Sequence, residues 1–149
     1  MGKLKNIVLG SASESRASVL KNAGLNFEID PADIDEDEIK SKCLKEGMSA
    51  TTLAAKLAET KALVVSSRWP DSLIIGGDQI LVFDGELFNK PISLAEASAN
   101  LQRFRGNSHN LVTAICVAHS GIMEWTYTET VEMKMREFSD EFLDTLLSI

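Results

Sequence analysis

Cysteine is scarce: Cys43 and Cys116 stand far apart, with no C-x-x-C pair and no third or fourth cysteine. That argues against a disulfide framework or a structural zinc site. Long apolar runs are missing, which removes any candidate for a membrane-spanning helix. The start, Met1 to Asn6, lacks the apolar core of a signal peptide, so the chain reads as cytoplasmic. Positive charge is in deficit, with 15 Lys and Arg against 22 Asp and Glu. A net charge of −7 disfavours a nucleic-acid polymer, which is gripped by clustered Lys and Arg. Small phosphate ligands remain open, because a few local cations or a carboxylate-bound metal can hold them. Neither His109 nor His119 has metal-ligand spacing, and no nucleophile is paired with a His or Cys, which argues against covalent catalysis. No internal repeat, linker or low-complexity segment occurs.

What is present suits one soluble domain over residues 1–149, with 44% hydrophobic and 25% charged residues. The stretch Leu73 to Pro91 stands out. Leu73-Ile74-Ile75 leads through Gly76-Gly77 to Asp78-Gln79, resumes as Ile80 to Phe83, and turns at Asp84-Gly85 toward Asn89-Lys90-Pro91. This is a buried strand carrying a carboxylate, and a buried carboxylate needs a partner. The two glycines let a backbone or a ligand approach closely. Two readings stay open. Either Asp78 and Lys90 serve a site, or Asp78 bonds a neighbouring loop and Lys90 is a solvated turn lysine.

Along the chain, Ile7 to Gly10 reads as a strand, followed by a serine-rich turn and a helix stopping at Gly24. Ser11 and Glu14 have capping-box spacing. The turn offers donors to an anion, with Arg16 as a phosphate fork, or it is a helix cap and nothing more. Leu25 to Ile29 alternates like a half-buried strand. Asp33 to Glu38 holds five acids in six positions, either a solvated face or the start of a metal site, and its last members suit a helix N-terminus. Ser49 to Ser66 is a long helix with Lys61 on its apolar stripe, where an ammonium either snorkels to the rim or meets a partner. Ser93 and Glu96 open a further helix ending near Gly106. Leu111 to Ala118 and Ile122 to Met135 form a hairpin turning at Ser120-Gly121, and Ser139 caps a last helix. The expected fold is α/β or α+β, a mixed twisted sheet flanked by helices.

These oddities fit one chemistry. Arg16, Lys61 and Lys90 are cations, Asp35, Glu36 and Asp78 are carboxylates, and Ser11 and Ser13 are donors. A triphosphate held with a divalent metal needs this mixture.

The order Leu9-Gly-Ser-Ala-Ser-x-x-Arg16, Asp33-Ile-Asp-Glu36, Leu57-Ala-Glu-Thr-Lys-Ala62, Ile75-Gly-Gly-Asp-Gln79, Asp84-Gly-Glu86, Lys90-Pro91 and Gly106-x-x-His109 resembles the Maf family of nucleotide pyrophosphatases. The resemblance covers nearly the whole chain. It implies a Maf/ITPase-like fold with a central cleft and hydrolysis of a nucleoside triphosphate to monophosphate and pyrophosphate. It also implies a divalent cation, Mg²⁺ or Mn²⁺, and a link to septum formation. Carried over by position, Asp78 is the catalytic acid/base. Ser11, Ser13, Arg16, Lys61 and Lys90 bind substrate, and Glu36, Asp35 and Asp78 hold the metal. Gln79 and Ser15 fall at specificity positions, and Gln79 resembles the branch acting on 7-methyl-GTP rather than on dTTP and UTP.

Two departures accompany the resemblance. The family's usual Ser-x-Ser-Pro-Arg-Arg becomes Ser11-Ala-Ser-Glu-Ser-Arg16, which exchanges a cation for an acid. Family members also continue further, with a Gly-rich segment and more strands. The chain therefore reads as a C-terminally truncated form, with an exposed sheet edge that a homodimer would cover. The alternatives to an enzyme are a non-catalytic nucleotide-binding or division-regulating protein, and a fragment that folds poorly.

Overall fold

The computed structural model describes residues 6–149. The lysine-bearing start read above for a signal peptide lies, apart from Asn6, outside the described residues. Among the described residues the elements run β1 (Ile7–Leu9), α1 (Glu14–Asn22), β2 (Glu28–Ile29), α2 (Glu36–Lys45), α3 (Ala50–Arg68), β3 (Leu73–Phe83), β4 (Glu86–Phe88), α4 (Leu94–Phe104), β5 (Ser108–His119), β6 (Ile122–Lys134) and α5 (Asp140–Leu147). The six strands form a mixed sheet, and five helices alternate with them along the chain. The expected α/β class holds. Among the described residues no helix is long and apolar enough to cross a membrane.

Among the described residues the chain divides into two compact units, one of residues 6–79 and 113–129, the other of residues 80–112 and 130–149. In the first unit the strand order is β2-β1-β3-β5-β6. β1 runs parallel to both neighbours, with Val8 opposite Glu28 on one side and Ile74 on the other. Parallel neighbours require crossovers, and α1 and α3 supply them on opposite faces of the sheet because such crossovers share one hand. Helix α3 covers its face with Leu53, Ala54, Leu57, Ala58, Ala62 and Val65, all fully buried. Ser49 starts this helix by accepting from the Thr52 N–H. Trp69 ends it, its indole Nε1 donating to Asp30 at 2.7 Å. The β5–β6 turn at Ser120-Gly121 has φ of 51° and 75°, the left-handed pair that matches hairpin twist.

In the second unit β3 turns through Asp84 and Gly85, again both at positive φ, and pairs antiparallel with β4. Phe83, Phe88 and Phe104 pack edge to face, Phe104 at 5.3 Å from Phe83 and 4.9 Å from Phe88. Arg103 lies over Phe83 and Phe88 and pairs with Glu86.

Two local expectations need correction. The strand read at Leu25 to Ile29 shrinks to Glu28–Ile29, because only those residues find partners on β1. The capping residue of α1 is Ser13, which accepts from the Arg16 N–H, and not Ser11. Glu14 is thus the first helical residue, two positions short of the third, where a capping-box glutamate sits.

Candidate functional site

Helix α2 begins at Glu36 because Asp35 caps it: Asp35 Oδ1 accepts the Glu38 N–H at 3.0 Å. The acidic run thereby places its negative charge at a helix N-terminus, where it is favoured. Asp35 is exposed and spends an oxygen on the cap, whereas Glu36 reaches Lys61. Lys61 projects from α3 among apolar neighbours and is drawn into a pair on each side. Its Nζ pairs with Glu36 Oε1 and donates to Asp78 Oδ1 at 3.0 Å. The side chains are 13% exposed for Lys61, 9% for Asp78 and 40% for Glu36, so the group is closed toward the strand and open beside the glutamate.

Asp78 is buried on β3, and its second oxygen, Oδ2, is buried with no hydrogen-bond partner. A bare buried carboxylate oxygen is costly unless something is meant to meet it. The loop-bonding alternative for Asp78 therefore gives way to an ion pair with an unused acceptor.

The glycines before Asp78 explain how helix and strand come this close. A Cβ at Gly76 would lie 2.7 Å from the Ala58 carbonyl oxygen and 2.9 Å from the Ala62 Cβ. Only glycine lets α3 settle here, against Ala58, about one turn before Lys61, and Ala62, the residue after it. Asp78 shares the Gly76 face of the strand, so it faces the same helix. Gly77 faces the other way, where a Cβ would sit 3.1 Å from Arg16 Nε. Arg16 thus lies against the opposite face of β3, its Nη1 donating to Ser11 Oγ at 2.7 Å. Ser11 is buried, and its Oγ also accepts the Ser13 N–H at 3.2 Å.

The structure gathers the sequence candidates into two sets across residues 76–79 of one strand. Glu36, Lys61 and Asp78 form the set facing α3, and Ser11, Ser13 and Arg16 form the set facing α1. Gln79 is exposed on the Arg16 side, and its Nε2 donates to Thr113 Oγ1 at 3.0 Å. Thr113 escaped the sequence reading. Its pairing with Gln79 depends on strand neighbours distant in sequence and leaves no local signal. Ser15 is exposed on α1. Lys90 is exposed after β4 in the second unit, and Asp35 stays at its cap.

Among the described residues no group of three His, Cys, Asp or Glu is poised to hold a metal ion. Glu36 and Asp78 nevertheless fit half of a hard-cation site. Mg²⁺ is commonly held by one or two carboxylates with the remaining ligands from phosphate and water, and Asp78 Oδ2 is available.

The chain is similar to known proteins over most of its length. A nucleoside triphosphate pyrophosphatase from Granulibacter bethesdensis is 44% identical over 142 residues, covering 95% of this chain and 72% of its own length. A 7-methyl-GTP pyrophosphatase from Rhizobium etli is 37% identical over 142 residues, covering 95% of this chain and 71% of its own. Among solved structures, a HAM1 protein from Coxiella burnetii superposes with a TM-score of 0.54 at 15% identity, over 88% of this chain and 73% of that one, and shares the fold. The model of the family described as Maf-like protein matches residues 6–148. With nearly every described residue inside that match, and with the Arg16 and Asp78 segments meeting on one strand, this chain belongs to the Maf family.

Proposed function

We propose that the protein hydrolyses a nucleoside triphosphate to the monophosphate and pyrophosphate. The observation that carries this reading is the Glu36–Lys61–Asp78 group, a cation between two carboxylates with one buried oxygen bare. The names of the relatives, nucleoside triphosphate pyrophosphatase and 7-methyl-GTP pyrophosphatase, support it.

In this reading Asp78 Oδ2 accepts a hydrogen bond from the attacking water, orients it toward the α-phosphorus and takes its proton. Lys61 and Arg16 spread the charge that grows on the phosphate oxygens, and the Ser11 and Ser13 segment supplies donors beside them. Glu36 and Asp78 would hold a divalent cation, Mg²⁺ or Mn²⁺, which when bound polarises phosphoryl oxygens and neutralises their charge. Asp35 acts at one remove, by capping the helix that presents Glu36. Gln79, its amide fixed by Thr113, and Ser15 contribute to the choice of base. The reading places the chain in the cytoplasm, where its substrates are.

The test is pyrophosphate release from 7-methyl-GTP, dTTP and UTP with Mg²⁺ or Mn²⁺, run beside Asp78→Asn. Release from the wild-type protein should fall by about a hundredfold or more in the variant, the scale of a lost general base. No release from a cooperatively folded wild-type sample would sink the proposal.

A further inference from the structure

Glu36 and Asp78 both spend their ion pairs on a single ammonium. Two carboxylates bring two negative charges, and Lys61 answers one of them. The same pair falls short of a closed metal site, since no third ligand stands with it among the described residues. A divalent cation would have to complete its shell with phosphate oxygens and water, and so would be held firmly only with substrate. Until then the burial of Asp78 needs a cation from the chain itself, because an isolated buried carboxylate is far more costly than a paired one. Lysine suits the part: a compact charge with rotatable donors on a flexible stem. The route for exchange is also present, since Glu36 is 40% exposed while Asp78 keeps Oδ2 bare.

We infer that Lys61 is a resident placeholder cation, holding Glu36 and Asp78 in position and yielding that place when a divalent metal arrives. Resting on the metal-dependent reading above, this gives Lys61 two positions in the cycle. It bridges the carboxylates before the metal binds and turns to the substrate's phosphates afterwards. The metal must then compete with an ammonium for its own ligands, which keeps affinity low in the absence of triphosphate.

The experiment is a titration with Mn²⁺ alone, no nucleotide present, followed by the electron paramagnetic resonance of free Mn²⁺. Wild-type protein is compared with Lys61→Met, each first shown to unfold cooperatively. Removing a charge this near the ligand oxygens should tighten Mn²⁺ binding on the order of tenfold or more. Equal or weaker binding in the variant, or no binding in either protein, overturns the inference. A second measurement needs no variant: acetylation of Lys61 by a small anhydride, followed by mass spectrometry, should speed up severalfold when Mg²⁺ is added. An unchanged rate again overturns it. Pyrophosphate release by the wild type is scored separately. Release with no gain in Mn²⁺ affinity defeats the placeholder alone, and tighter binding without release defeats the enzymatic reading alone.

Discussion

Gly76 and Ala58 are in contact so close that no side chain fits between them: a Cβ at Gly76 would meet the Ala58 carbonyl oxygen at 2.7 Å. That carbonyl belongs to the backbone of α3 and cannot swing aside. Gly76→Ala should therefore push the helix off the strand and carry Lys61 away from Asp78. We expect a loss of about 1–3 kcal/mol, the cost of overpacking a dense core, visible as a lowered thermal midpoint, together with slower pyrophosphate release. An unchanged midpoint would show that the helix was not seated on this residue.

Gly77 offers a contrast on the opposite face. There an added Cβ would lie 3.1 Å from Arg16 Nε, the far end of a flexible side chain that can move. Gly77→Ala should leave the midpoint nearly unchanged while raising KM for the triphosphate, because Arg16 is displaced. Ser11→Ala tests the same guanidinium from its other side by removing the acceptor at 2.7 Å from Nη1. A hydrogen bond to a charged group is worth roughly 1.5–3 kcal/mol, so KM should rise about tenfold or more with a smaller effect on kcat. Steady-state kinetics on both variants decide this, and a fall in kcat at constant KM would count against a binding role for Arg16.

Cys116 yields a pH prediction. Burial pushes its thiol up from 9.0 to about 11, with Glu59 adding to the rise and a hydrogen bond from the Gly76 backbone opposing it. The raised group favours the folded state through its neutral form. Its contribution is fully present below pH 9, the unfolded value, and is lost as pH climbs through 11, because the unfolded chain gives up its proton first. Denaturant unfolding should show wild-type stability falling by up to roughly 3 kcal/mol across that window, and Cys116→Ala should fall less steeply. Native protein should also resist thiol alkylation at neutral pH, whereas unfolded protein reacts. Equal slopes for the two proteins would refute the assignment.

The long elements were legible because their signals are local. Ser49 with the Leu53, Leu57 and Val65 stripe, the Asp84-Gly85 and Ser120-Gly121 turns, and Gly24 as a helix stop each depend on nearby residues, and the structure shows them where the pattern put them. Short-range spacing misled at Ser11. Two serines compete for one helix start, and the start is set by where the chain leaves β1, so the cap fell to Ser13.

The sequence by itself determined the α/β class, the family and the kinds of group available for chemistry. Each of these is carried by periodicity, by turn residues or by motif order, and all survive without knowledge of the third dimension. Only the tertiary structure decided which groups meet. Glu36, Lys61 and Asp78 come from three elements, and Gln79 with Thr113 from two strands. Their encounters follow from the order of the strands and from the closeness that Gly76 allows. The division of the candidates between two faces of β3 has the same origin: alternate strand residues point opposite ways, and the crossover helices lie on opposite sides.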